Sequence, residues 1–185
     1  LYHDMNNHNL VMWKLAEKGE YERLHKYIGK LRPLEKDRHR QWTQNLILDM
    51  ILEYKLLAME KKKILYEIKT DMIGEIALAD KELCILLGNL LDNAIEACEK
   101  LEEEKRMVKI EVRKHHSMFM LIVENSCEAH AQVRKGIFRT TKKDDRMHGY
   151  GIHNVRKTVK NRGGQFQYGS RGENFYVKIL IPLVI

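Results

Sequence analysis

The sequence predicts two units in series, an α-helical hairpin followed by an α+β layer of sheet and helices. Residues 1–63 carry helical periodicities almost without a break, whereas residues 64–185 mix short apolar runs with turn-forming segments. A hydrophobic fraction of 44% is enough for a genuine core, and 185 residues suit one ordinary domain or two small ones. With 32% of residues charged and only two prolines, long disordered stretches are not expected.

In the first half, Leu1, Met5, His8, Met12 and Leu15 alternate spacings of four and three, the seam of a helix that packs on other helices. Gly19 is placed to interrupt it, and Leu24, Tyr27, Ile28 and Leu31 resume the period until Pro33. After "LEKDRHRQ" a second amphipathic stretch runs to about Lys62, with Ile47, Ile51, Tyr54 and Ala58 apolar and Met50 and Leu57 alongside. Two such helices cannot bury their faces alone, so residues 1–63 are expected to dimerise into a four-helix bundle.

The second half, residues 64–185, changes rhythm. "ILYEIKT" (64–70) reads as a strand and residues 80–101 as a helix. "MVKIEVRKH" (107–115) and "SMFMLIVEN" (117–125) read as paired strands, followed by a polar stretch over 126–148. A helix from Gly151 to about Asn161 precedes a closing hairpin, "GGQFQYGS" and "NFYVKILIPL". The expected result is a sheet of four or five strands with helices on one face.

Bulk chemistry narrows the function. The net charge of +7, from 33 basic and 26 acidic residues, favours an acidic partner, a nucleotide or nucleic acid. The basic residues are scattered without interleaved aromatics, so a nucleic-acid partner is not expected. Cys84, Cys98 and Cys127 show no C-x-x-C spacing and read as reduced thiols of a cytoplasmic protein, with no zinc site. The sequence has no run of 18 apolar residues and no visible signal peptide. It opens without Met inside a helical pattern, which is expected of a fragment whose N-terminal half is missing.

Three motifs carry chemistry. "LGNLLDNAIEAC" (87–98) puts Asn89, Asp92, Asn93 and Glu96 on one narrow stripe of an otherwise apolar helix. A solvated face is one reading; the other is that neutral Asn carbonyl oxygens ligate a hard cation. In "LYHDMNNHN" (1–9), His3 and Asn7 share an exposed face beside Asp4, giving an imidazole nucleophile with a proton partner, or ordinary surface polarity. "RMHGYGIHNV" (146–155) holds Gly149 and Gly151 ahead of an apolar helical run, which opens backbone amides to an anion or simply starts a helix. The preceding "GIFRTTKKDD" (136–145), anchored by Phe138, reads as a lid whose Lys142 or Lys143 reaches a triphosphate, or as a solvated loop.

The order of these pieces resembles the sensor histidine kinases, and within them the peptide-responsive quorum-sensing kinases of Gram-positive bacteria. "HDMNNH" (3–8) is similar to that subgroup's His-Asp-x-x-Asn-His box, "NLLDNAIEA" (89–97) to the family's N box, and "HGYGIHNV" (148–155) to its second glycine box. The resemblance covers essentially the whole chain. It implies a dimerisation and phosphotransfer hairpin over 1–63, then a Bergerat-type ATP-binding sandwich over 64–185, joined by a mobile link near 60–66. His3 would be the phosphoacceptor, Asp4 its base or orienter, and Asn7 the residue placing a water for dephosphorylation of the partner. Asn93 with Asn89 would hold the Mg²⁺ that bridges the ATP phosphates, and Gly149 and Gly151 would let the backbone wrap them. Hydrolysing relatives carry Glu at the first N-box position to activate water. Asn89 cannot do so, which leaves ATP for His3.

The pattern departs from the family at its first glycine box, Asp-x-Gly-x-Gly. "VENSC" (123–127) puts Glu124 at the adenine-binding Asp and Ser126 at the first Gly. The resemblance further implies a response regulator as partner, a homodimer, and a membrane anchor in the missing N-terminal half. The rival expectation is a non-catalytic phosphotransfer or scaffold protein with a degenerate ATP domain.

Overall fold

The computed structural model describes residues 2–31, 41–128 and 150–183. Two compact units divide the chain, residues 1–39 and 40–185.

The first unit is a pair of helices, α1 (Tyr2–Glu17) and α2 (Tyr21–Leu31). Gly19, at φ 69°, supplies the left-handed residue that ends α1. Its N–H reaches Ala16 O at 3.0 Å and the next N–H, of Glu20, reaches Leu15 O at 2.9 Å, a Schellman turn. The interruption expected at Gly19 is therefore present. His8, Met12 and Leu15 are half-buried, as are Leu24, Tyr27 and Ile28. His8 Nδ1 lies 2.7 Å from the Tyr27 hydroxyl. No described residue of this unit is fully buried.

The second unit begins ahead of the expected boundary at residue 63. Helix α3 (Leu46–Lys61), expected as an arm of the hairpin, falls in the second unit, and its residues Leu48, Leu52, Leu56 and Met59 enter that unit's core. This is a different face from the one the apolar spacing suggested, since Met50 and Tyr54 are exposed and Ile47, Ile51 and Ala58 only half-buried. Asn45 caps α3 by accepting from Leu48 N at 3.1 Å, and its Nδ2 donates to Gly74 O at 3.0 Å. Fully buried Thr43 donates to Asp49 Oδ1 at 2.7 Å, while its carbonyl accepts from Ile73 N at the same distance. Nor is the segment near 60–66 a mobile link: Ile64 is 3% exposed and the strand β1 (Leu65–Thr70) starts at once.

The sheet has five strands in the order β1-β2-β3-β5-β4, with β2 (Met107–His115), β3 (Met118–Ser126), β4 (Gln165–Arg171) and β5 (Asn174–Pro182). β1 runs parallel to β2, and every other pairing is antiparallel. Between β1 and β2 the chain passes through α4 (Asp80–Leu83), a π-helical turn (Cys84–Gly88) and α5 (Asn89–Cys98). Helix α6 (Tyr150–Asn161) precedes β4. Strict alternation sorts the sheet's two faces. Ile68, Ile110, Val123, Val177 and Tyr168 form one cross-sheet row facing the core, and Glu67, Lys109, Glu124, Tyr176 and Gly169 form a row on the other face. The expected sheet with helices on one face is thus present.

Leu52 is fully buried on α3, so Leu52→Ala should destabilise the second unit by about 3 kcal/mol, whereas exposed Met50→Ser should cost less than about 0.5 kcal/mol. Urea unfolding of the two variants checks the face. Similar small losses for both would remove α3 from this core.

Candidate functional site

The helical run from α4 to α5 is apolar around most of its circumference. Leu83, Leu86, Leu87, Leu90, Leu91, Ala94, Ile95 and Cys98 are all at most 4% exposed. What remains is the predicted stripe, with Asn89 and Glu96 half-buried and Asp92 and Asn93 exposed. Asp80 and Glu82 sit in the first turn, where they complement the helix dipole. Burial pushes the Cys98 thiol pKa up, so it stays protonated and donates to Met107 O at 3.5 Å, locking the C-terminal end of α5 to the sheet.

Helix α6 lies against the same run. Val155 and Val159 are buried, and its first turn brings Gly151 to Asn89. A Cβ on Gly151 would lie 2.9 Å from Asn89 Oδ1. The first turn of α6 therefore lies beside the asparagine stripe, and a helix N-terminus carries partial positive charge. Asn89 Nδ2 donates to Ile85 O at 2.7 Å in the π-helical turn. Asn93 has no side-chain hydrogen-bond partner among the described residues. Asp92 pairs with Lys55 of α3 at 2.5 Å, and the lysine side chain is only 12% exposed.

At its other end α6 is clamped to α4. Arg162, just past the helix, donates from Nε to Glu82 Oε1 at 2.7 Å and from its terminal nitrogen to Oε2 at 2.5 Å. Both side chains are less than a quarter exposed. Glu82 Oε2 also accepts from Ala79 N at 2.9 Å.

The structure moves one predicted residue. Glu124 lies on the sheet face away from the core, bordering a depression of about 90 Å³ with Glu67, Lys69, Lys109 and Glu111, well below the several hundred Å³ of a nucleotide-sized pocket. Asn125, one residue on, is the inward group at this end of β3 and is 4% exposed. Its Nδ2 donates to Ser126 O at 2.9 Å. The alternation of Phe119, Leu121 and Val123 already placed Asn125 on the buried face, and that signal identifies it. Lys55, Glu82 and Arg162 were also missed, because nothing local in the sequence marks a long-range ion pair.

Asn89 and Gly151 are thus brought together, with Asn93 one turn along α5 from Asn89. His3 and Asp4 lie in the first turn of α1 and Asn7 is exposed one turn on; the side chains of His3 and Asp4 lie outside the described residues. Phe138, Lys142, Lys143 and Gly149 also lie outside them. Among the described residues, no group of three or more His, Cys, Asp or Glu is placed to hold a metal ion. Asn93 offers instead one exposed neutral oxygen, which suits Mg²⁺, an ion that completes its shell with water and phosphate oxygens. Among those same residues no helix is long and apolar enough to cross a membrane.

The sequence matches the GHKL domain over residues 78–182, more than half of the chain. No curated protein sequence matches it. Among solved structures, the catalytic domain of histidine kinase ThkA, in a nucleotide-free form, superposes with a TM-score of 0.61 at 23% identity, covering 75% of this chain and 91% of that one. The histidine kinase AdeS of Acinetobacter baumannii superposes with a TM-score of 0.55 at 15% identity, covering 99% and 98%. The mycobacterial sensor histidine kinase MprB gives 0.52 at 17% identity, covering 74% and 93%. At these identities the likeness is one of fold.

The bidentate arginine beside Glu82 holds its carboxyl below the ordinary carboxylate pKa. A lowered folded-state pKa stabilises above the unfolded value and is lost as pH falls through the folded one. Arg162→Gln should therefore cost about 1–2 kcal/mol at neutral pH, with the difference from the native chain closing below about pH 4. Thermal unfolding at a series of pH values reads this. A gap that persists unchanged in acid would assign the loss to packing.

Proposed function

Because the chain belongs to the GHKL domain family, we propose that it is an ATP-dependent protein histidine kinase that autophosphorylates His3 and passes the phosphoryl group to an aspartate of a response regulator. The observation that carries this reading is the stripe of Asn89 and exposed Asn93 beside the first turn of α6, in a chain whose first helix holds the His-Asp-x-x-Asn-His pattern.

In the proposed reaction an imidazole nitrogen of His3 attacks the γ-phosphorus of ATP. The bond to the β-phosphate oxygen breaks, ADP leaves, and Asp4 takes or orients the imidazole proton. The backbone at Gly149 and Gly151 cradles the phosphates, and Lys142 adds positive charge from the segment before α6. Mg²⁺ would be held by Asn93 with phosphate oxygens of ATP, and when bound it neutralises the charge of the β- and γ-phosphates. Asn7 then places the water that removes the phosphoryl group from the regulator. The adenine amino group donates to Asn125 Oδ1, whose own amide nitrogen is already turned to Ser126 O. Asn125 thereby takes over the part first given to Glu124.

The same reading has the helical hairpin dimerise and dock the regulator, whose acidic pocket suits a chain of net charge +7. It places the chain in a quorum-sensing-type subgroup, on the cytoplasmic side of a membrane to which an N-terminal half anchors it. The rival, a degenerate phosphotransfer scaffold, draws support from the neutral Asn125 where the family has Asp. Calorimetric titration with Mg-ATP separates the two, since a scaffold gives no binding heat.

Incubation with γ-labelled ATP and Mg²⁺, on a chain carrying some upstream helix, should give acid-labile label that His3→Gln abolishes and that Asn93→Ala reduces at least a hundredfold. Label retained by His3→Gln would move the acceptor, with His8 next in line. Asn125→Leu, checked for folding by circular dichroism, should weaken ATP about tenfold by losing one buried acceptor. Unchanged affinity would remove Asn125 from adenine recognition.

A further inference from the structure

We infer that Asn89 is a positioning residue that keys α5 to α6, and that it is not a ligand of the metal. The functional consequence rests on the nucleotide site proposed above; the structural key does not. An amide NH₂ can only face an acceptor, and Asn89 Nδ2 faces Ile85 O at 2.7 Å. That bond fixes which end of the amide is which and turns Oδ1 the other way, towards α6. There Oδ1 stands 2.9 Å from where a Cβ of residue 151 would be, with Asn89 Cγ and Cβ 3.5 and 3.6 Å from the same point. The amide nitrogen is therefore committed to the π-helical turn, and the oxygen stands against the glycine of the facing helix. Asn93, exposed and without a hydrogen-bond partner among the described residues, is the asparagine left to face a cation.

The same geometry explains the glycine. Gly151 lies inside α6 and is not among the positive-φ glycines, so its backbone conformation is open to any residue. Helix propensity alone would favour alanine there. A Cβ there would push the Asn89 amide out of its place, and that amide is held by its bond to Ile85 O. The pair acts as peg and notch where α5 faces the first turn of α6.

A thermal-unfolding cycle without nucleotide tests the key. Gly151→Ala in the native background should lower Tm by roughly 5 °C. In an Asn89→Ala background, where only a Cβ at ordinary contact distance remains, the same change should leave Tm unchanged or raise it. An equal fall in both backgrounds overturns the proposal. Should Gly151→Ala fail to fold, a folded double variant supports the key and an unfolded one overturns it. A second arm reads the metal through the Mg²⁺ concentration needed for half-maximal binding of a fluorescent ATP analogue. Asn89→Ala should weaken binding of the analogue while keeping that midpoint within about twofold of native, whereas Asn93→Ala shifts it at least tenfold. A shift in Asn89→Ala equal to that in Asn93→Ala overturns the proposal. A native chain that binds no analogue would sink the nucleotide site alone, and the thermal cycle would still decide the key.

Discussion

The second unit depends on one constraint: the helical run over residues 80–98 is apolar on nearly every side and must be covered on nearly every side. Helix α5 packs on β2 and β3, where the Cys98 thiol reaches Met107 O, and α3 and α6 close the flanks. Eight side chains of this run are all but removed from water, at about 1.5–3 kcal/mol for each large one, and no neighbouring element can shift without exposing some of that surface. The narrow polar stripe is what this burial leaves uncovered. Asn93 is therefore carried, exposed, on a helix that the core itself immobilises, the arrangement that best fixes a side chain in place.

Ion pairs at the margins serve the same end. Lys55–Asp92 ties α3 to α5 and Glu82–Arg162 ties α6 to α4, each joining elements far apart in sequence. Neither pair is fully exposed, so both are better than the ordinary surface contact, and together they brace the central run from its two sides. The first unit is built differently. It holds two helices with half-buried seams, a His8–Tyr27 contact, and no fully buried side chain among its described residues.

Much of this was legible in the sequence, and the failures have physical reasons. The strands were readable because inward and outward positions alternate with large apolar and charged residues, and the asparagine stripe because every other residue around it is apolar. The assignment of α3 to a hairpin failed because periodicity reports that a helix has an apolar face without naming what covers it. On a helix rich in apolar residues, Leu48, Leu52, Leu56 and Met59 compete with Ile47, Ile51, Tyr54 and Ala58 as the seam, and the helical run over 80–98, with β1, covers the first set. Glu124, read from the sequence as facing adenine, lies on the sheet face away from the core, and its neighbour Asn125 lies on the buried one, because successive residues of a strand point opposite ways. The π-helical turn, and with it the Asn89–Gly151 key, has no local signature at all.

The parallel pairing of β1 with β2 bears on how the chain assembles as it is made. Leu65 pairs with Met107, so β1 leaves the ribosome 42 residues (107 minus 65) before its first partner does. The β2–β3 and β4–β5 pairs are local and close quickly, whereas β1 and the helix before it can complete their burial only after the crossover helix and β2 exist. During synthesis α3 and β1 thus wait with apolar surface uncovered, while α1 and α2, whose contacts are local, can already have formed. The earliest-made part of the second unit is its last to settle, and a growing chain carries its two N-terminal helices well before the unit that follows them can close.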